Sequence, residues 1–339
     1  VKHKLLGILK QNQTQDQNEY ISGEMLCKHF GVSRTAIFKH IKALKDEGYR
    51  IESSTKKGYR LVAVPESVSE FEISFGLETD IIGKKICYLK EVNSTNTFAR
   101  KIALDGAPEG TLVIAETQTQ GKGRLGRDWS SMDGKGIWTS IILRPKIAPQ
   151  DVQLITLAAS VAVASALEKT TGIKPGIKWP NDIILDGKKV CGILTEMNSE
   201  MEMVNFLILG IGINVNHCKE DFPLELQDTA VSLRMYLEKN NPKYDKIISR
   251  SNIIKKLLYE LEQIYYKIND GQFNDIISSW KEYSTTLGKH VKVMIRDEVF
   301  LGIAEDIMED GRLVVKCNDG VVREVLSGEV SIRGILGYD

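Results

Sequence analysis

The sequence predicts an α+β protein of several domains: an N-terminal winged helix-turn-helix, a central mixed or antiparallel sheet carrying helices, and a small C-terminal β-barrel. Three observations support this. The 339 residues exceed a typical single domain. Charge is unevenly divided, with 12 Lys/Arg against 6 Asp/Glu in residues 1–64 of a chain that is neutral as a whole. Apolar periodicity also changes along the chain, from helical spacing to strand runs and then to short alternating strands. The implied division is 1–64, a linker at 65–80, a central domain at 81–284 and a C-terminal domain at 285–339.

The N-terminal element is read from "SGEMLCKHFGVSRTAIFKHIKALKDEGYRI" (22–51). Met25, Leu26 and Phe30 have helical spacing, Gly31 suits a left-handed turn, and Ser33 is a good N-cap. Ile37, Ile41 and Leu44 form a core stripe, and the other face carries Arg34, Thr35, Phe38, Lys39, Lys42 and Lys45. Two alternating strands follow around a Lys56-Lys57-Gly58 turn. Helix, turn, helix and basic hairpin make a DNA-reading module, in which the second helix enters the major groove and wing lysines meet phosphates. The candidate DNA contacts are Ser22, Ser33, Arg34, Thr35, Phe38, Lys39, Lys42, Lys56 and Lys57. Positive charge confined to this segment points to a polyanionic partner for it alone. "VPESVSE" (64–70) reads as the start of a linker.

The central segment alternates strands and helices. Leu89 and Val92 end a strand that enters a helix at "NSTNTFARKIALDG" (93–106). Strands are expected over 110–118 and 134–145, a buried helix over 151–172, and a strand and hairpin over 176–197 turning at Asp186-Gly187. A buried strand covers 205–216, and helices cover about 246–269 and 272–283. At the end of the 110–118 strand hangs "ETQTQGKGRLGRDW" (116–129). Its glycines let backbone approach a ligand, while Lys122, Arg124 and Arg127 gather positive charge. That composition suits a phosphate, or a carboxylate becoming a phosphate ester. It matches neither the Walker A pattern nor a dinucleotide fingerprint, and "GIGIN" (210–214) lacks a third glycine.

"NSTN", the Gly-Arg loop, "IKWPND", "VCGILTE" and "LGIGINVN" occur in an order and spacing that resemble the biotin–protein ligases. With the winged helix in front, the chain is similar to the bifunctional ligase/biotin-operon repressors over essentially its whole length. Lys122 stands where that family often has arginine, and Thr119 is not its usual glutamine. The resemblance implies a class II synthetase-like ligase domain, an SH3-like C-terminal domain, and a two-step reaction. Biotin and ATP give biotinyl-5′-AMP and pyrophosphate. A lysine of a biotin carboxyl carrier protein then takes the biotin and releases AMP.

By this resemblance Ser94, Thr95, Asn96 and Gln118 recognise the ureido ring. Gly121, Lys122, Gly123, Arg124, Lys178, Gly192, Gly210 and Gly212 complete the biotin site. Arg124, Arg127, Trp129, Lys178, Asn181 and Asn214 face ATP, and Lys178, Arg124 and Arg127 stabilise the charge that spreads over the transition state. Asn181, Asp182 and Asn214 are candidates near the phosphates or Mg²⁺, and no resident metal site is expected. Biotinyl-AMP would also be the corepressor of a homodimer on a palindromic operator.

Residues 285–339 show short strands joined at "RDE", "EDG" and "NDG" turns, the pattern of a small β-barrel. No signal-peptide pattern begins the sequence, and no apolar run approaches the ~20 residues of a bilayer span. Five scattered cysteines without a C-x-x-C suit a reducing cytoplasm. A lipoate-type ligase, a ligand sensor without catalysis, and a ligase whose winged helix has lost its operator stay open.

Overall fold

A computed structural model describes residues 1–14, 19–200, 203–295, 298–326 and 330–334. The chain divides into two compact units after Ser67. In the first, α1 (Lys2–Thr14), α2 (Gly23–Phe30) and α3 (Arg34–Asp46) precede a hairpin of β1 (Arg50–Ser54) and β2 (Gly58–Ala63). Leu5, Leu6 and Leu9 of α1 join Leu26, Ile37, Ile41 and Leu44 in its core. Met25, helically spaced with Leu26 and Phe30 as read, lies on α2 and is exposed.

The second unit begins at Val68, inside the expected 65–80 linker. Val68 is fully buried, and α4 (Glu70–Ser74) buries Ile73 in the same core. The main sheet has seven strands: β3 (Ile86–Val92), β4 (Leu112–Gln118), β5 (Gly136–Leu143), β6 (Gly176–Lys178), β7 (Asp182–Leu185), β8 (Lys188–Glu200) and β9 (Met203–Asn214). Their order is β3-β4-β5-β9-β8-β7-β6. Only β3–β4 is parallel, so the sheet is mixed, as expected.

One sheet face packs on α5 (Thr95–Leu104) through Val113, Ile142, Phe206 and Ile208. The other packs on α6 (Val152–Thr171) and α8 (Arg250–Asn269), with α7 (Leu233–Asn240) and α9 (Phe273–Tyr283) alongside. By length and apolarity α6 could span a membrane, contrary to the sequence expectation, but here it lies in the core. Apolar on nearly every side, it is covered on nearly every side.

The C-terminal strands β10 (His290–Ile295), β11 (Glu298–Ile307), β12 (Leu313–Cys317), β13 (Val322–Val325) and β14 (Val330–Gly334) form a five-stranded antiparallel sheet, ordered β13-β12-β11-β10-β14. Turns fall at "EDG" and "NDG" as expected, whereas the "RDE" turn lies outside the described residues.

This sheet is tied to the "KWPND" strand. Trp179 is buried, its backbone N–H donates to Thr286 Oγ1 at 2.9 Å, and its Nε1–H donates to Gly311 O at 3.1 Å.

Candidate active site

The site lies where β4, β8 and β9 meet the N-terminus of α5. Ser94 caps α5, its Oγ accepting the Thr97 N–H at 3.4 Å. Gln118 ends β4 and turns its amide back to the helix. Its Oε1 accepts the Thr95 N–H at 2.8 Å and the Thr95 hydroxyl at 3.0 Å. Its Nε2 donates to Ser131 Oγ at 2.8 Å. Asn96 Nδ2 donates to Glu196 Oε2 at 2.7 Å, and Asn96 Oδ1 faces Ser140 Oγ at 2.5 Å.

Thr95, Asn96, Ser131 and Ser140 are all buried. Thus Ser94, Thr95, Asn96 and Gln118 do come together. Asn96, though, is a buried link between helix and sheet, both ends of its amide engaged by protein. Gly210 makes that link possible, because a Cβ there would meet Asn96 Oδ1 at 2.2 Å.

The cationic loop is built differently. Its two limbs are held by backbone: Trp129 N–H donates to Gly121 O at 2.9 Å and Gly123 N–H to Arg127 O at 2.7 Å. Lys122 stands opposite Asp128 in a short bridge. Lys122 and Arg127 are exposed, and Leu125 at the tip is 70 % exposed with φ 57°.

Arg124 reaches inward, Nη1 donating to Asn181 Oδ1 at 2.8 Å, while Asn181 Nδ2 donates to Ile193 O at 2.9 Å. One guanidinium therefore joins the loop to the "KWPND" turn. Burial lowers the affinity of Arg124 for its proton, Arg127 adds to this, and Asp182 opposes it.

Trp129 closes the loop against the sheet. Gly192 and Gly212 are register partners on β8 and β9. A Cβ on either would meet the indole, at 2.8 Å from Gly192 and 2.6 Å from Gly212. Those glycines thus form a seat for an aromatic ring. The indole Nε1 is buried without a hydrogen-bond partner.

Lys189 Nζ lies 5.3 Å from the centroid of a Trp129 ring and pairs with Asp182 at 2.6 Å. It is a cation that sequence reading overlooked. The signal was present in the hairpin register, since an Asp186-Gly187 turn returns Lys189 to the neighbourhood of Asp182. Lys178, the lysine chosen from sequence, is half-buried at the end of the edge strand β6.

Asn214 is buried at the end of β9 opposite Gly136. Below it, Arg250 pairs with Glu116 at 2.6 Å and donates to Gly136 O at 3.1 Å, a buried tie with no local sequence signal. His217 stacks on Phe222 and meets the edge of Trp138, and burial pushes its pKa down to about 4.

In the N-terminal unit, Arg34, Thr35, Phe38, Lys39 and Lys42 share the exposed side of α3, and Lys56 and Lys57 are exposed at the wing. Ser22 and Ser33 are N-caps, accepting from Glu24 N–H and Ala36 N–H at 3.2 Å each. Their hydroxyl hydrogens remain able to donate to a phosphate.

Comparison with known proteins agrees with these features. The Biotin/lipoate A/B protein ligase family pattern matches residues 88–214, an HTH domain matches 3–60, and the Biotin protein ligase C terminal domain matches 286–333. The Bifunctional ligase/repressor BirA of Bacillus subtilis is 40 % identical, over 94 % of this chain and 96 % of that protein. The Biotin--[acetyl-CoA-carboxylase] ligase of Mycobacterium tuberculosis is 32 % identical over 68 % of this chain and 82 % of its own. A solved biotin protein ligase from Aquifex aeolicus, in complex with biotin and ATP, superposes with TM-score 0.62. It is 30 % identical over 74 % of this chain and 99 % of that one.

Proposed function

The chain belongs to the bifunctional biotin ligase/repressor family, and on that premise we propose how its residues divide the work. The biotin ureido ring meets the Thr95–Gln118 cluster, and the carboxylate runs toward the loop. There its oxygen attacks the α-phosphorus of ATP and pyrophosphate leaves. Negative charge spreads over the phosphoryl oxygens in the transition state, and fixed cations stabilise it where water is excluded.

Arg124, Arg127, Lys178 and Lys189 supply those cations, Lys178 standing opposite Asp182 in the β6–β7 pair, and Lys122 adds charge from the exposed loop. Trp129, seated on two glycines, lies flat and covers the adenylate. Mg²⁺ enters as the counter-ion of ATP, and Asn181 Oδ1 and Asp182 are oxygen donors it could share with the triphosphate. In the second step the neutral lysine amine of a biotin carboxyl carrier protein attacks the acyl carbon. AMP leaves and the amine gives up its proton.

The observation that carries this reading is the Arg124–Asn181 bond, which joins the cationic loop to the "KWPND" turn beside the Lys189–Asp182 pair. The test is exchange of labelled pyrophosphate into ATP, with biotin, lipoate or no acid. Exchange with biotin alone, lost in Lys189→Ala, is expected. Exchange with lipoate would mean a lipoate-type ligase. Tight biotin binding without exchange would mean a sensor.

The same adenylate would act as corepressor. Ordering the loop around it would favour a homodimer whose two α3 helices enter successive major grooves of a palindromic operator. Sedimentation with and without biotinyl-AMP tests this, a monomer in both cases counting against it. Such a protein works beside DNA and carboxylases, which a cytoplasmic location satisfies.

A further inference from the structure

We propose that Glu196 is a positioning residue for ligand recognition. It holds the Asn96 amide in one orientation, and so leaves the Ser140–Thr95–Gln118 cluster one hydroxyl proton short. A cyclic-urea N–H fills that vacancy. The inference deepens the ligase reading above and rests on it.

The argument is a count of protons. Gln118 Oε1 is fixed as the oxygen because it accepts the Thr95 backbone N–H at 2.8 Å. Asn96 must turn its NH₂ to the Glu196 carboxylate at 2.7 Å, since a carboxylate accepts and does not donate. Asn96 Oδ1 therefore faces Ser140 Oγ at 2.5 Å and takes the only hydroxyl proton of Ser140.

Two close contacts remain, Thr95 Oγ1 to Ser140 Oγ at 2.8 Å and Thr95 Oγ1 to Gln118 Oε1 at 3.0 Å. Only the Thr95 proton is left to serve both. Whichever it serves, lone pairs oppose each other across the other. In a buried cluster such a deficit is costly, and a ligand that brings its own N–H relieves it. A ligand presenting only oxygen there does not.

Glu196 sets this polarity. The other acceptor of Asn96 Nδ2, Leu194 O, lies at 3.5 Å, the limit of a hydrogen bond. Without the carboxylate the amide is free to flip and donate to Ser140. The proton of Ser140 then serves Thr95, that of Thr95 serves Gln118, and no vacancy remains. A residue on β8 that touches the cluster only through Asn96 thus decides whether the pocket demands a donor.

The experiment measures biotin-dependent pyrophosphate exchange by wild type, Glu196→Leu, Glu196→Gln and Ser140→Ala. Each is assayed with biotin and with a ureido N-methylated analogue, and each melting temperature is recorded. Glu196→Leu is expected to raise the biotin KM about tenfold, with kcat and the ATP KM unchanged, and to lose most of the preference for biotin over the analogue. Ser140→Ala removes the deficit from the other side and should lose the same preference even if the leucine variant folds poorly. Glu196→Gln still offers an acceptor and should stay within about twofold of wild type.

Unchanged preference in both Glu196→Leu and Ser140→Ala overturns the positioning role. So do equal rises in both KM values accompanied by a lowered melting temperature, which indicate a structural role. Wild type without biotin-dependent exchange would overturn the ligase reading, and this inference with it.

Discussion

The recognition cluster and the cationic loop lie side by side yet are built on opposite plans. In the cluster, Thr95, Asn96, Ser131 and Ser140 are buried and bonded to one another through side chains. In the loop, Lys122, Leu125, Gly126 and Arg127 are exposed, and backbone bonds hold the shape. Arg124 reaches inward from the loop and bonds Asn181 in the "KWPND" turn. The contrast separates two tasks. Selecting a neutral ring needs donors and acceptors fixed before the ligand arrives. Chemistry between two anions needs charge that can gather around them and then admit a second protein.

The comparison predicts graded responses. The largest is in the floor beneath the cluster. Arg250→Met should cost about 3–5 kcal/mol in chemical denaturation by stranding the Glu116 carboxylate, and adding Glu116→Leu should recover most of it. A single mutant as stable as wild type would show that the floor is not rigid.

Next comes His217. Its folded pKa of about 4 is below the ordinary 6.5, so the unfolded chain binds the extra proton between those values and stability falls as pH drops through that window. The loss should reach about 2–3 kcal/mol by pH 4 and shrink in His217→Leu. Equal acid sensitivity in both would contradict the assignment.

The smallest response is in the loop itself. Leu125→Gly removes a side chain from a left-handed backbone and should change stability by less than about 1 kcal/mol, without altering biotin affinity. A large destabilisation would mean that the loop is as rigid as the cluster.

Much of this division was legible in the linear chain, and the reason is spacing. Ser33 and the Ile37, Ile41, Leu44 stripe are local signals, and they fall on α3 as read. The loop glycines and arginines are contiguous, so their shared purpose shows in the string. What failed to show depends on strands far apart in sequence. Glu196 meets Asn96 across 100 positions, and Arg250 meets Glu116 across 134. Neither residue stands in a pattern that names its partner. Lys189 lay between these cases: hairpin register brings it to Asp182, which is also the register partner of Lys178 in "KWPND". Gly210 was read as pocket lining, and the chain alone did not show that it also lets Asn96 lie on the sheet. The burial of Val68 was not legible because "VPESVSE" is polar on average.

The measurement that tests the central claim most directly is Arg124→Ala, with biotin binding by calorimetry and biotin-dependent pyrophosphate exchange measured on the same sample. The account predicts biotin affinity within about threefold of wild type and exchange slowed by about 10²–10³, as expected when a fixed donor to the transition state is removed. Exchange at the wild-type rate, or biotin binding lost together with it, would contradict the division of recognition from chemistry.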